Sequence, residues 1–309
     1  HFQRVPETNT HYRSAYASVD EVLQAFAVPF VSKSTTTFKP WEQKLGEFKI
    51  DKLVTPDRVR QSWLGFLADI PEKDRSKWPI IEWLIRKMLI PRAKADFTNK
   101  VAYWGWQLTG FDASSPVVNG TTYQRDFASE NALLPANASM DGIRTQIAKM
   151  NTAGRVNVIT VGSWDADDAD FCTQIEEFAK EIPTQYRSEI DFLFMSEDFR
   201  NKYRDGRRAK YNMNYAQEQD LDLIKDTNIR VKSTVSMATS TQVWCTLKTN
   251  RKMPVKADMP GTFDVQKLDR TVKLLSDWSY LLTFDVPEFI WSSDHELTIS
   301  AGDITDHYS

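Results

Sequence analysis

Apolar positions along the chain change period several times, and each change marks an element. Residues 46–54, "GEFKIDKLV", set Phe48, Ile50 and Val54 in alternation with Glu47, Lys49, Asp51 and Leu53, the spacing of two expected of a strand. The preceding "STTTFKPWEQKL" is rich in Thr, Phe and Trp and also reads as extended, and Pro40 keeps its neighbourhood off a central strand. Residues 33–54 are therefore expected to form an extended β-hairpin loop. A ten-residue strand reaches about 33 Å, and a two-stranded ribbon is not stable alone, so it needs a surface to lie on.

The period then switches to that of helices. "TPDRVRQSWLGFLA" starts cleanly, with Thr55 as N-cap, Pro56 in the first turn and Asp57 complementing the dipole; Gly65 is expected to break it. In "WPIIEWLIRKMLIPRAKADFTNKVAYWGW" the residues Ile80, Ile81, Leu84, Ile85, Met88, Leu89, Ala95, Val101 and Ala102 keep helical spacing. This predicts a long helix over 79–104, with a kink or break near 88–90 ahead of Pro91, closed by Gly105 and Gly110. Residues 110–139 are loop-rich, with a turn signal at Asn119-Gly120. Residues 139–211 then alternate helix, strand, helix, strand, helix, the pattern of an α/β subdomain. "IRVKSTVSMA", "QVWCTLKT" and "FIWSSDHELTISA" follow as strands, while the stretch between the last two mixes helix and strand signals. Residues 1–30 read as an arm; within it "SVDEVLQAFAV" suits a short helix with Ser18 as N-cap and Glu21 closing a capping box, the alternative being a disordered tail.

Composition narrows the picture. A chain of 309 residues makes one large domain or two smaller ones. With 39 basic and 42 acidic residues the net charge is −3, so no global field points to nucleic acid. Ten Trp are costly to expose and are expected in cores or interfaces. Cys172 and Cys245 lack CxxC spacing and read as reduced, buried thiols of a protein made in a cytoplasm. Apolar runs of about ten residues are too short to span a bilayer. The chain opens at His1 rather than Met, which reads as a removed leader or a trimmed chain.

Candidate chemistry is sparse. The four histidines, His1, His11, His295 and His307, lie near the termini and share no helical face with another His or Cys. Phosphate-binding, dinucleotide-binding and nucleophile-elbow motifs are missing. "DADDAD" spaces Asp165, Asp167 and Glu176 like a calcium loop, but Ala169 and Asp170 occupy the fifth-ligand and glycine positions. Asp167 or Asp168 capping a helix is the better reading. "FRNKYRDGRRAKY" carries Arg200, Lys202, Arg204, Arg207, Arg208 and Lys210 beside Tyr203 and Tyr211. It suits phosphate contact, a solvated helix end, or ion pairing between subunits with an acidic patch such as Asp165, Asp167 and Asp168.

The order of elements resembles the major capsid protein of tailed bacteriophages with the Hong Kong 97 fold. "FKIDKLVTPDRVRQSWLGFLA" looks like the returning strand of that fold's extended loop, "IIEWLIRKMLIPRAKADFTNKVAYWG" like its spine helix, and "DFLFMSEDFRNKYRD" like the strand–helix unit of its axial domain. "WLGFLA" and "MDG…Q" resemble shell proteins of phages infecting Bacteroidota. The likeness covers roughly residues 30–295 by element order rather than by a short motif, and Pro91 departs from a smooth spine helix.

The resemblance implies an α+β fold of this kind: an N-terminal arm 1–32, an extended loop 33–54, a peripheral domain of 55–110 and 265–309 with the spine helix 79–104, and an α/β axial domain 111–264. It implies a structural protein, not an enzyme, with no catalytic residue, metal or cofactor. Homo-oligomers would build the shell as hexamers and pentamers, with portal, decoration or scaffolding proteins as further partners, packaged double-stranded DNA contacted non-specifically and no membrane. Its place would be the virion, assembled in the bacterial host cytoplasm. Phe38, Lys39, Trp41, Lys44, Phe48, Lys49, Ile50 and Val54 are the candidate arm contacts between subunits; Asp165, Asp167, Asp168, Arg200, Arg204, Arg207 and Arg208 are the charged ones. Some relatives crosslink an arm lysine to a neighbour's asparagine, but no such bond is assigned. An encapsulin-like compartment shell, or a nucleic-acid-binding or hydrolytic α/β protein using residues 200–210, stand as alternatives.

Overall fold

The computed structural model describes residues 2–19, 36–68, 79–107, 117–118, 121–122, 139–211, 221–260 and 262–298. The chain divides into two units, one holding 1–45, 146–254 and 282–299, the other 46–145, 255–281 and 300–309. This differs from the expected division. Residues 282–298 go with the α/β unit because strand Ile290–Ser293 is part of its sheet, and residues 2–19 and 36–45 go with it through contacts to Asp285 and Phe289.

In the first unit, β1 (Gln3–Glu7) pairs with strand Arg251–Pro260. β2 (His11–Val19) and β3 (Thr36–Lys44) form an antiparallel ribbon in continuous register, from His11↔Lys44 to Val19↔Thr36. Ser18 and Val19 lie within β2; Glu21 and the helix expected after Ser18 fall outside the described residues.

In the second unit, β4 (Gly46–Val54) pairs antiparallel with a later strand, Thr271–Tyr280. α1 (Pro56–Ala68) runs straight through Gly65, so the expected break does not occur. α2 is the long helix, 80–101, matching the predicted spine segment. Pro91 does not end it, and the irregularity falls in the turns just before it. The turns Leu84–Leu89 are π-helical, with the Ile90 amide reaching back to the Ile85 carbonyl, and Pro91 then sits in the first turn of the α-helical stretch Ile90–Asp96. One extra residue per turn relieves the register where Pro91 supplies no amide. The short pair β5 (Val117–Val118) and β6 (Thr121–Thr122) flanks the predicted turn, whose own residues lie outside the described ones.

The α/β alternation of the first unit follows: α3 (Ile143–Thr152, entering from the second unit), β7 (Asn157–Ile159), α4 (Asp168–Glu181), α5 (Thr184–Arg187), β8 (Phe192–Met195), α6 (Glu197–Tyr211), β9 (Arg230–Ser233) and β10 (Trp244–Thr246). After β11 (Arg251–Pro260) come β12 (Asp264–Leu268), β13 (Thr271–Tyr280), β14 (Thr283–Phe284) and β15 (Ile290–Ser293). The segment with mixed signals, residues 268–289, thus holds β13, β14 and the single turn Pro287–Phe289.

The sheet of the first unit has the order β7-β15-β10-β8-β9. β7 with β15 and β8 with β9 are parallel, and β10 runs antiparallel to both its neighbours. Its inner strand β8 is a short apolar run, and one face of the sheet is covered, with Leu193, Met195, Val231, Cys245 and Trp291 packing with Phe171, Ile175 and Phe178 of α4 and Tyr203 of α6. Both cysteines are free and buried, as expected. In the second unit β13 is central. β4 follows it from Val272↔Val54 to Tyr280↔Gly46, and β12 and the end of β11 also pair with it.

Candidate functional site

The stretch 33–54 contributes two strands, but they do not pair with each other. β3 pairs with residues 11–19, and β4 with β13. The extended ribbon is therefore β2 with β3. The arm residues supply the missing strand, and the expected hairpin within 33–54 is replaced by two separate pairings. The apolar alternation of β4 has its cause inside its own unit. Phe48 stacks on Tyr280 at 5.0 Å and Trp278 at 6.2 Å and meets Phe97 of α2 edge-on at 5.9 Å. Ile50 lines a cavity of about 760 Å³ with Ile90, Phe97 and Trp278. Val54 is buried with Trp83, Leu84 and Leu274. Lys49 faces the other way and pairs with Asp51 at 2.6 Å; that hydrogen bond, and then the Asp51 charge, raise its pKa.

The ribbon is fastened at its root. At the base the Leu45 amide bonds the Thr10 carbonyl at 2.9 Å. On β2 the Tyr12 hydroxyl donates to the Asp285 carboxylate at 3.0 Å, the Ser14 hydroxyl donates to the Asp285 carbonyl at 2.5 Å, and Tyr16 packs edge-on against Phe289 at 5.5 Å. Burial, with the Asp285 charge next, holds the Tyr12 hydroxyl far above the usual phenol range. On β3 buried Gln43 accepts from Thr283 at 2.6 Å, and Trp41 lies beneath the Arg155 guanidinium at 5.5 Å. Arg155 also donates to the carbonyls of Pro40 at 2.8 Å and Lys39 at 3.2 Å while paired to Glu288 at 2.8 and 3.2 Å. The Lys39 ammonium stands 3.9 Å from Glu288, and Lys44 is exposed. Phe38 is 70% exposed, the largest apolar exposure among the described residues.

Most of the charged candidates find partners inside their own unit. Asp167 is the N-cap of α4, accepting from the amides of Ala169 at 2.8 Å and Asp170 at 3.3 Å, as read from the sequence. Asp165 accepts from the Asp167 amide at 2.8 Å, and its carbonyl accepts from Lys202 at 2.5 Å. Asp168 opens α4 where α6 crosses it. On α6, Arg200 grips Asp222 at 2.6 and 3.1 Å and Arg204 pairs with the same carboxylate at 3.1 Å. Arg207 is buried and donates to the Leu223 carbonyl, and Arg208 pairs with Asp205 at 2.8 Å. The basic segment thus holds the loop around 222–223 and the acidic start of α4. Lys210 and Tyr211 converge on Glu176, a buried carboxylate, at 2.9 and 2.8 Å.

Sequence reading missed Arg155, Asp285 and Glu288. The Arg155–Glu288 bond spans 133 residues, and no local pattern announces it. No His/Cys/Asp/Glu group able to hold a metal is found among the described residues, and no described helix is long and apolar enough to cross a membrane.

No protein-family model and no curated protein matches the sequence. Solved structures do match over nearly the whole chain. The capsid of an empty GTA particle superposes with a TM-score of 0.54 at 12% identity, covering 94% of this chain and 87% of that one. The capsid of a native GTA particle gives 0.52 at 13% identity, with the same coverage of 94% and 87%. The satellite phage P4 procapsid including the size determination (Sid) protein gives 0.51 at 10% identity, covering 94% and 91%. The chain therefore has a capsid-shell fold, mixed helix and sheet. More narrowly, the fold is Hong Kong 97-like, the one its element order resembles.

Proposed function

We propose that this chain is the major capsid protein of a tailed bacteriophage, self-assembling as hexamers and pentamers into an icosahedral head around double-stranded DNA. The observation that carries the reading is the ribbon. Two nine-residue strands, each spanning about 30 Å, are anchored at the root and end beside a Phe exposed to solvent. A pair of strands this long gains stability by lying on a second surface, and a neighbouring copy supplies one in a closed shell. Phe38, Lys39, Trp41 and Lys44 are its candidate contacts. Phe48, Ile50 and Val54 serve it indirectly by packing the sheet of the second unit. The capsid-shell fold supports the same conclusion.

In this reading the protein is structural rather than catalytic, acts in the virion after assembly in the host cytoplasm, and meets portal and decoration or scaffolding proteins and packaged DNA. The intramolecular pairing of Arg200, Arg204, Arg207 and Arg208 weighs against a nucleic-acid enzyme built on that segment. Electron microscopy of the purified chain tests the proposal. Closed particles of uniform diameter are expected, and a protein that stays monomeric at high concentration overturns it.

A further inference from the structure

Arg155 occupies a position set by rigid backbone. α3 ends in a Schellman motif, with the Arg155 amide on the Met150 carbonyl at 3.0 Å and the Gly154 amide on the Asn151 carbonyl at 2.8 Å. Gly154 has φ +66°, which glycine adopts without strain. Arg155 is the next residue, so its side chain leaves from a fixed point. Its partner is equally fixed. The side chain of buried Asn250 bonds the Val286 amide at 2.7 Å and carbonyl at 2.9 Å, and its own carbonyl accepts from the Asp285 amide at 3.0 Å. Glu288 follows in the single turn Pro287–Phe289.

Between these two anchors the guanidinium uses four hydrogen bonds: two to the Glu288 carboxylate and one each to the Lys39 and Pro40 carbonyls. Those carbonyls belong to β3, the ribbon strand, at the point where it passes from docked Trp41 and Gln43 to exposed Phe38. The planar fork of an arginine can make all four bonds from three separate nitrogens, and a lysine ammonium, with three donors on one atom, cannot. We propose that Arg155 is a positioning residue that fixes the direction in which the ribbon leaves its unit, and that this direction sets the uniformity of the assembled particle. The second clause rests on the capsid reading; the first does not.

The test uses nitroxide labels at Phe38→Cys and Glu177→Cys, both exposed, in the full chain before assembly; the two native thiols are buried. Their distance distribution is expected to be narrow with Arg155 in place and to broaden in Arg155→Lys and in Glu288→Gln. Amide exchange at Lys39 and at 41–44 should quicken about tenfold or more in both, the factor expected for a lost charge-assisted bond, while 171–179 stays unchanged and so reports an intact fold. Without the labels, both variants should form particles of mixed diameter. An unchanged distance distribution in both variants overturns the proposal, as do variant particles as uniform as the parent's. Failure of the parent chain to form particles overturns the capsid reading instead, and the distances still judge Arg155.

Discussion

Gly206 of α6 lies against the backbone of Asp168 at the start of α4. A β-carbon placed on Gly206 would meet the Asp168 carbonyl oxygen at 1.8 Å and the Cys172 β-carbon at 3.0 Å. The two helices cross here at backbone contact, and the obstacle is main chain that cannot rotate away. Gly206→Ala is therefore expected to push the helices apart and destabilise the first unit by about 1–3 kcal/mol, the usual cost of overpacking. A lowered thermal midpoint checks this; an unchanged one would mean that the helices separate freely.

How far the chain disclosed this arrangement can be judged from two cases. The N-cap at Asp167 was legible because capping is local: an acceptor, two amides and a helical period within four residues. The spine helix was legible for the same reason. The partner of 33–54 was not, because extended segments carry no record of which strand they meet. β3 pairs with residues 11–19, whose "HYRSAYASV" lacks a two-residue alternation, and β4 pairs with a strand more than 200 residues away. The partner of Arg200 and Arg204 on α6 was not legible either, because the carboxylate they share, Asp222, lies beyond the end of the helix. Charge pairing over such separations is a property of the folded chain alone.

Removing the cap makes a second prediction. Asp167→Ala deprives the Ala169 and Asp170 amides of their acceptor, while Asp168 and Asp170 remain to complement the helix dipole. The expected loss is about 1 kcal/mol, and Asp167→Asn should recover most of it. Denaturant titration of the three proteins would show the order, and equal midpoints for Asp167→Ala and the parent would remove Asp167 from its capping role.

The pair Arg251–Asp191 makes a third. Arg251 is 1% exposed, holds both Asp191 oxygens near 2.7 Å and lies over the Phe194 ring at 5.4 Å. Truncating it leaves Asp191 without its cation and opens a void beside the aromatic rings. Asp191 is 27% exposed, so water offsets part of its loss, and Arg251→Ala should cost about 3 kcal/mol, the low end for breaking a buried pair from one side. Replacing both partners, as Arg251→Met with Asp191→Leu, should restore much of that, since neither change then strands a charge. If the double variant is as unstable as Arg251→Ala, packing of the arginine rather than its charge dominates.

The thiols make the last. Burial, and after it the Glu176 carboxylate 3.8 Å away, push the Cys172 thiol from its ordinary value near 9 up to about 12, and burial alone raises Cys245 further. Only the thiolate reacts with alkylating agents, so neither cysteine should be modified at pH 8 in the folded chain, while both should react once denaturant is added. The same shift ties stability to pH. The unfolded chain loses these protons near pH 9 and the folded chain retains them, so the unfolded state binds fewer protons above that value and stability falls as pH rises, for Cys172 over the window from about 9 to 12. Mass spectrometry after timed alkylation reads the first effect. Unfolding midpoints of the parent and of Cys172→Ala measured across that pH window read the second, where the variant should lose less stability than the parent; prompt alkylation of Cys172 in folded protein would show that the crossing of α4 and α6 opens readily.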